Sequence, residues 1–240
     1  MPRPVLTVVS LALAMLVLAS CSRGGGDGSD ADDPSPASSP TGVDRRPDLD
    51  DEPSFTDGFT EAGSWPEPAV VGGGTLSLAA PPGGEDVLVA APYQAPDGVP
   101  GLMVVAATRL TGEGRSGLFC FGPPGSGTAY VLWYDPTGPV TITRVEGGSE
   151  TVVGQAPVDP TARSDEGEDT LLLRLLCAET DEGISLGFTV NASPIDLTML
   201  DAGRRLPPGR LQAGVALRGG AGGATVAVSD LAITLFRDPS

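Results

Sequence analysis

Histidine and lysine are absent from this chain, and aromatic residues are scarce: its 240 residues include two tryptophans, three tyrosines and six phenylalanines. Without histidine there is no Ser-His-Asp or Cys-His arrangement, and none of the usual zinc sites. No Gly-x-x-x-x-Gly-Lys-[Ser/Thr] loop occurs either. All 14 basic residues are arginine, set against 31 acids, for a formal net charge of −17. Nucleic-acid binding rests on Lys/Arg neutralising phosphates, so this balance excludes it, and with it any charge-driven attachment to an anionic lipid surface. The missing lysine, together with abundant Ala, Gly and Pro, is the footprint of a GC-rich genome and points to an actinobacterial source.

Long apolar runs are also lacking, except at the front. Met1-Pro2-Arg3-Pro4 is a minimal positive segment, and Val5 to Ala19 is apolar. Spanning a ~30 Å hydrocarbon core takes roughly twenty residues, so this run reads as a cleaved export signal. It closes on Leu18-Ala19-Ser20-Cys21, the pattern that bacterial lipoprotein processing reads. The expectation is a signal peptide over 1–20 and acylation of Cys21, which anchors the chain on the extracytoplasmic face of the plasma membrane. Two or more acyl chains make such anchoring stable, at ~0.8 kcal/mol per buried CH₂. From 21 to 53 the chain is Gly, Ser, Pro and Asp with little to bury, so it is expected to be a disordered acidic tether.

The remainder, 54–240, is expected to be one all-β domain. Its apolar residues alternate with period two, most cleanly along Ile184-Ser185-Leu186-Gly187-Phe188-Thr189-Val190. Further strands are read at Thr75–Ala79, Val87–Ala91, Leu102–Leu110, Gly117–Phe121, Ala129–Tyr134, Val140–Glu146, Thr151–Gln155, Thr170–Cys177, Arg210–Arg218 and Ala224–Phe236, separated by Gly/Pro turns. Many short strands at regular spacing indicate a two-sheet antiparallel sandwich, with a closed barrel as the alternative.

The order of motifs resembles the concanavalin A-like (laminin-G-like) jelly rolls of actinobacterial surface proteins. The resemblance rests on Phe55…Phe59…Gly63-Ser64-Trp65, Gly117-Leu118-Phe119-Cys120 with Tyr130, Leu173-Arg174-Leu175-Leu176-Cys177, Leu186 to Asn191, and Gly209…Gly214-Val215-Ala216-Leu217 followed by Val226 to Leu231. Ala192 stands where the family's hairpin has glycine, and Ser229-Asp230-Leu231 replaces its closing Asp-Asp-Phe. The resemblance implies an extracytoplasmic jelly-roll module, and it implies that Cys120 and Cys177 are paired. Export places them where disulfides persist, and the residues alone leave open a second reading as two buried thiols. With no histidine and no third thiol they complete no tetrahedral metal site.

Candidate chemistry in this domain is sparse. A glycosidase of this fold needs two carboxylates flanking the bond, and no Glu-x-Asp-x-x-Glu strand is present. Glu179-Thr180-Asp181-Glu182 comes nearest, in a turn. Asp165, Glu166, Glu168 and Asp169 offer oxygen ligands for calcium, against a plainer reading as a solvated acidic loop. Tyr130, Trp133 and Tyr134 stand out on one strand: alternation puts Tyr130 and Tyr134 on one face and Trp133 on the other, so one set points away from the core. An exposed set could stack sugar rings, with Asp135 or Arg144 at its edge, and the plainer alternative buries both sets. The expectation is therefore a non-enzymatic, lipid-anchored surface protein with no resident cofactor, whose partners are the membrane and a glycan or envelope component bound on one sheet face. The alternatives are a structural lipoprotein docking an envelope protein and a divergent glycoside hydrolase.

Overall fold

The computed structural model describes residues 48–60, 65–120, 127–157, 170–191, 197–205 and 210–237. Cys21 and the acidic run 165–169 lie outside them. The described residues form strands and no helix. In chain order these are β1 (Asp48–Leu49), β2 (Phe55–Asp57), β3 (Val70–Gly72), β4 (Thr75–Ala80), β5 (Val87–Ala90), β6 (Gly101–Cys120), β7 (Thr128–Tyr134), β8 (Val140–Glu146), β9 (Ser149–Ala156), β10 (Leu171–Glu179), β11 (Gly183–Val190), β12 (Leu197–Ala202) and β13 (Ala213–Arg237). All pairings are antiparallel.

Two long strands hold the sandwich together. Leu102–Leu110 and Gly117–Phe121, expected as separate strands, belong to one strand, β6, which runs to Cys120; Arg210–Arg218 and Ala224–Phe236 merge likewise into β13, which starts at Ala213. Each passes from one sheet to the other at a glycine corner, where the β6–β13 register shifts between Gly219 and Ala224. Gly112 lies there at φ +90°, and a Cβ on Gly114 would meet the Arg218 carbonyl at 2.3 Å. Only glycine allows two backbones to close in this way. Turn chemistry in the sequence reads as a strand break; in three dimensions it is a bend.

The larger sheet has the order β12-β11-β10-β6-β13-β4-β3. The smaller is built from β5, the first half of β13, the second half of β6, then β7, β8 and β9. Their facing sides form the core, with Leu102, Val104, Leu173, Leu175, Ile184, Leu186, Val226 and Ile233 from one sheet and Leu118, Leu132, Ile142 and Val215 from the other, all at most 1 % exposed. Cys120 on the smaller sheet and Cys177 on the larger form a disulfide across this core. Tyr130 makes a second tie: its hydroxyl donates to Asp201 Oδ2 at 2.8 Å, and Arg144 Nη1 donates to the same oxygen at 2.5 Å.

Residues 48–54, expected from composition to belong to the tether, are bonded to the domain. Asp48–Leu49 pairs with Phe236 and Arg237, Asp50 N–H donates to the Leu235 carbonyl, and Ser54 N–H to that of Ile233. The free edge of β13 supplies these bonds, which a reading of side-chain polarity does not register.

Candidate functional site

The outward face of the smaller sheet carries a second buried cluster, Phe119, Val131, Trp133 and Ala216, with Leu88, Ala90 and Val145 against it. Strand alternation places it there, since Leu118, Cys120, Tyr130 and Leu132 point into the main core. Trp133 crosses β6 over Gly117, whose added Cβ would stand 3.3 Å from the indole. The indole N–H points to Thr143 Oγ1 at 3.1 Å and Glu150 Oε1 at 3.2 Å.

Arg218 is the hub of this face. Its guanidinium lies over the Trp133 ring, 4.7 Å from the centroid. Nε and Nη2 donate to the two oxygens of Asp86 at 2.5 and 2.6 Å, and Nη2 also reaches Glu150 Oε2 at 3.0 Å. Bonding to Asp86, then to Glu150, outweighs burial and drives its pKa up, so it is a permanent cation. Bidentate guanidinium–carboxylate pairs are strong and directional.

Beside this hub, Arg115 Nε pairs with Asp135 Oδ2 at 3.0 Å. Asp135 Oδ1 accepts from the Thr137 backbone N–H at 2.8 Å and its hydroxyl at 2.7 Å. Burial alone would raise the Asp135 pKa, but the Thr137 hydrogen bonds and the Arg115 charge outweigh it and hold the carboxyl below its usual value. The turn Asp135-Pro136-Thr137 thereby becomes a fixed wall between two open cavities. One, of about 600 Å³, is lined by Glu113, Arg115 and Arg218 and by the glycine corner. The other, of about 520 Å³, is lined by Tyr134, Gly138, Pro139 and Gln155.

The three aromatic candidates do not make one platform. Tyr130 is 1 % exposed in the inter-sheet core, Trp133 is 0 % exposed on the opposite face, and Tyr134 is half-buried at a cavity wall. Burial and the Asp201 bond raise the Tyr130 pKa, and burial raises that of Tyr134. Of the two expected edge groups, Asp135 lines the cavities and Arg144 turns inward to Asp201. Arg115, Arg218, Asp86 and Glu150 escape a sequence reading because they come from four separate strands or strand ends; the hub bonds span 132 and 68 residues. Among the described residues no group of three or more acids, cysteines or histidines could hold a metal.

No protein-family model matches the chain, and no curated protein matches it by sequence. Solved structures match the fold. One comes from work on endo-acting O-glycanases with which human gut microbiota initiate mucin breakdown: 13 % identity, TM-score 0.50, covering 77 % of this chain and 99 % of that one. A xylan β-1,4-xylosidase from Bacillus halodurans is 16 % identical at TM-score 0.48, over 77 % of this chain and 39 % of its own. A legume lectin-like domain from Entamoeba histolytica is 14 % identical at TM-score 0.46, over 69 % and 86 %. This chain spans about two fifths of the length of the xylosidase and the GH43 protein it matches. At these identities the likeness is one of fold, a jelly-roll β-sandwich found in lectin-like proteins and in glycan-processing enzymes.

One expectation falls here. The neighbour at TM-score 0.50 comes from work on endo-acting O-glycanases, so the fold does not support reading the chain as non-enzymatic. Acids do not line up along a single strand in the sequence. The folded chain instead gathers Asp86, Asp135 and Glu150 from different strands onto one side of the smaller sheet.

Proposed function

We propose that this chain is a lipid-anchored extracytoplasmic protein that engages a glycan in the cavities either side of the Asp135–Thr137 turn. The observation that carries this reading is the fixed arrangement of Asp135 between Arg115 and Thr137 on an open, mixed polar and apolar surface. Sugar hydroxyls donate and accept at once, so they are held by carboxylates and guanidinium groups whose positions are already set. Buried Trp133 supports the network from below, and half-buried Tyr134 offers the ring edge along which a sugar would lie. The jelly-roll fold supports the reading as one that glycan-acting proteins share. Acylation at Cys21 would keep the site within reach of envelope polysaccharide.

The test is a pull-down of the exported chain, carrying Cys21→Ser to remove the acylation site, on isolated cell wall and a panel of soluble polysaccharides. Reducing-end release is measured in the same incubations, so binding and turnover are read together. Saturable retention on one polysaccharide, lost in Asp135→Ala, is expected. Retention that survives Asp135→Ala and Arg115→Ala in folded protein would move the site elsewhere.

A further inference from the structure

The outward side of the larger sheet is chemically unlike the rest of the molecule. Register places Met103 and Val105 of β6 there, beside Leu176 and Leu172 of β10, with Leu176 opposite Met103. All four are partly exposed. Of the four exposed large apolar residues described, three belong to this same face. Leu200, 44 % exposed, pairs with Ser185; Val70, 68 %, with Ser77; and Leu49, 37 %, with Phe236. Between them lie small side chains, including Ala107, Ala178, Ala227 and Ala232. The charged residues that its described strands turn outward are Arg109, Arg174 and Asp230: a single acid, in a chain of net charge −17.

We propose that this face is the interface of a symmetric dimer, closed by a second copy of the same chain. Size fits: seven strands span six spacings of ~4.8 Å, and about seven residue steps of ~3.3 Å along them give roughly 700 Å², close to the ~800 Å² per partner of a stable interface. Charge selects the occupant's orientation. Two such acidic molecules repel wherever their carboxylates meet, and this face presents one acid, Asp230, beside two arginines, so carboxylates contribute little repulsion here. Flat sheets of small and apolar residues pack face to face at ~10 Å, and a patch that meets its own copy is the isologous arrangement of a two-fold dimer. Back-to-back pairing leaves both smaller-sheet cavities facing outward.

Sedimentation equilibrium on the exported chain carrying Cys21→Ser tests this. A monomer–dimer equilibrium is expected, and it should strengthen as salt screens the net negative charge. Leu176→Glu should weaken it about tenfold or more, as truncating a central anchor does, and Leu200→Glu, on the edge strand β12, should weaken it less but measurably. Leu200 is exposed in the free chain, so its variant keeps the fold while testing the face. A chain that stays monomeric at every concentration overturns the proposal, as does a dimer that persists unchanged in both variants.

Discussion

Arg218 lays its guanidinium over the ring of Trp133 while gripping Asp86 with two hydrogen bonds and Glu150 with a third. One side chain thus ties the segment before β5 to β9, across the width of the smaller sheet.

Removing it strands two carboxylates and uncovers the indole. Arg218→Ala is expected to cost about 2 kcal/mol, below the figure for a fully buried pair because its side chain is 28 % exposed. In a Trp65→Phe background the Trp133 emission should shift to the red. Arg218→Lys keeps the charge but not the fork, so its loss in denaturant unfolding should fall between. Equal stability in all three proteins would show the hub to be passive.

The Cys120–Cys177 bond closes a loop of 57 residues, which chain-entropy reasoning values at about 4 kcal/mol. The purified chain carrying Cys21→Ser should take up no alkylating agent under denaturing conditions without reductant. Reduction, or the double substitution to alanine, should lower its melting temperature. Two alkylated cysteines in the unreduced chain would exclude the bond.

Tyr130 ties the sheets only while neutral. Its pKa is raised in the fold, so its contribution is intact below the unfolded value of about 10 and is lost as pH rises through the folded one. Tyr130→Phe should cost about 1 kcal/mol at neutral pH and should flatten the alkaline branch of the stability curve. A Phe variant with an unchanged alkaline branch would assign that sensitivity to other groups.

Asp135 has the opposite sign. Its folded pKa lies below the unfolded value of about 4, so its contribution is present above that pH and fades as pH falls through the folded one. Melting curves between pH 5 and 2 should therefore show a smaller acid-induced loss for Asp135→Asn than for the parent chain. The order reversed would mean that Thr137 and Arg115 do not hold the carboxylate.

Period-two patterning was legible wherever one sheet face is buried and the other is not, as along Ile184–Val190 and Ala129–Tyr134. It also sorted Tyr130 from Trp133 correctly by face, but it could not show that both faces of β7 are covered. The short edge strands β3 and β12 carry too few alternating residues to stand out, and the glycine corners of β6 and β13 carry turn signals inside continuous strands. The cavity wall was half visible, through Asp135. Its partners Arg115 and Thr137, and the hub around Arg218, depend on cross-strand register, which no local spacing records.

Hydrogen-exchange footprinting of the purified chain carrying Cys21→Ser, with and without a polysaccharide from the pull-down panel, tests the proposed glycan site most directly. Slowed exchange is predicted in 112–115 and 134–139, the walls of the two cavities, and in little else. Protection confined to 103–107 and 172–176, on the outward side of the larger sheet, would place glycan recognition on the wrong face for this account and contradict it.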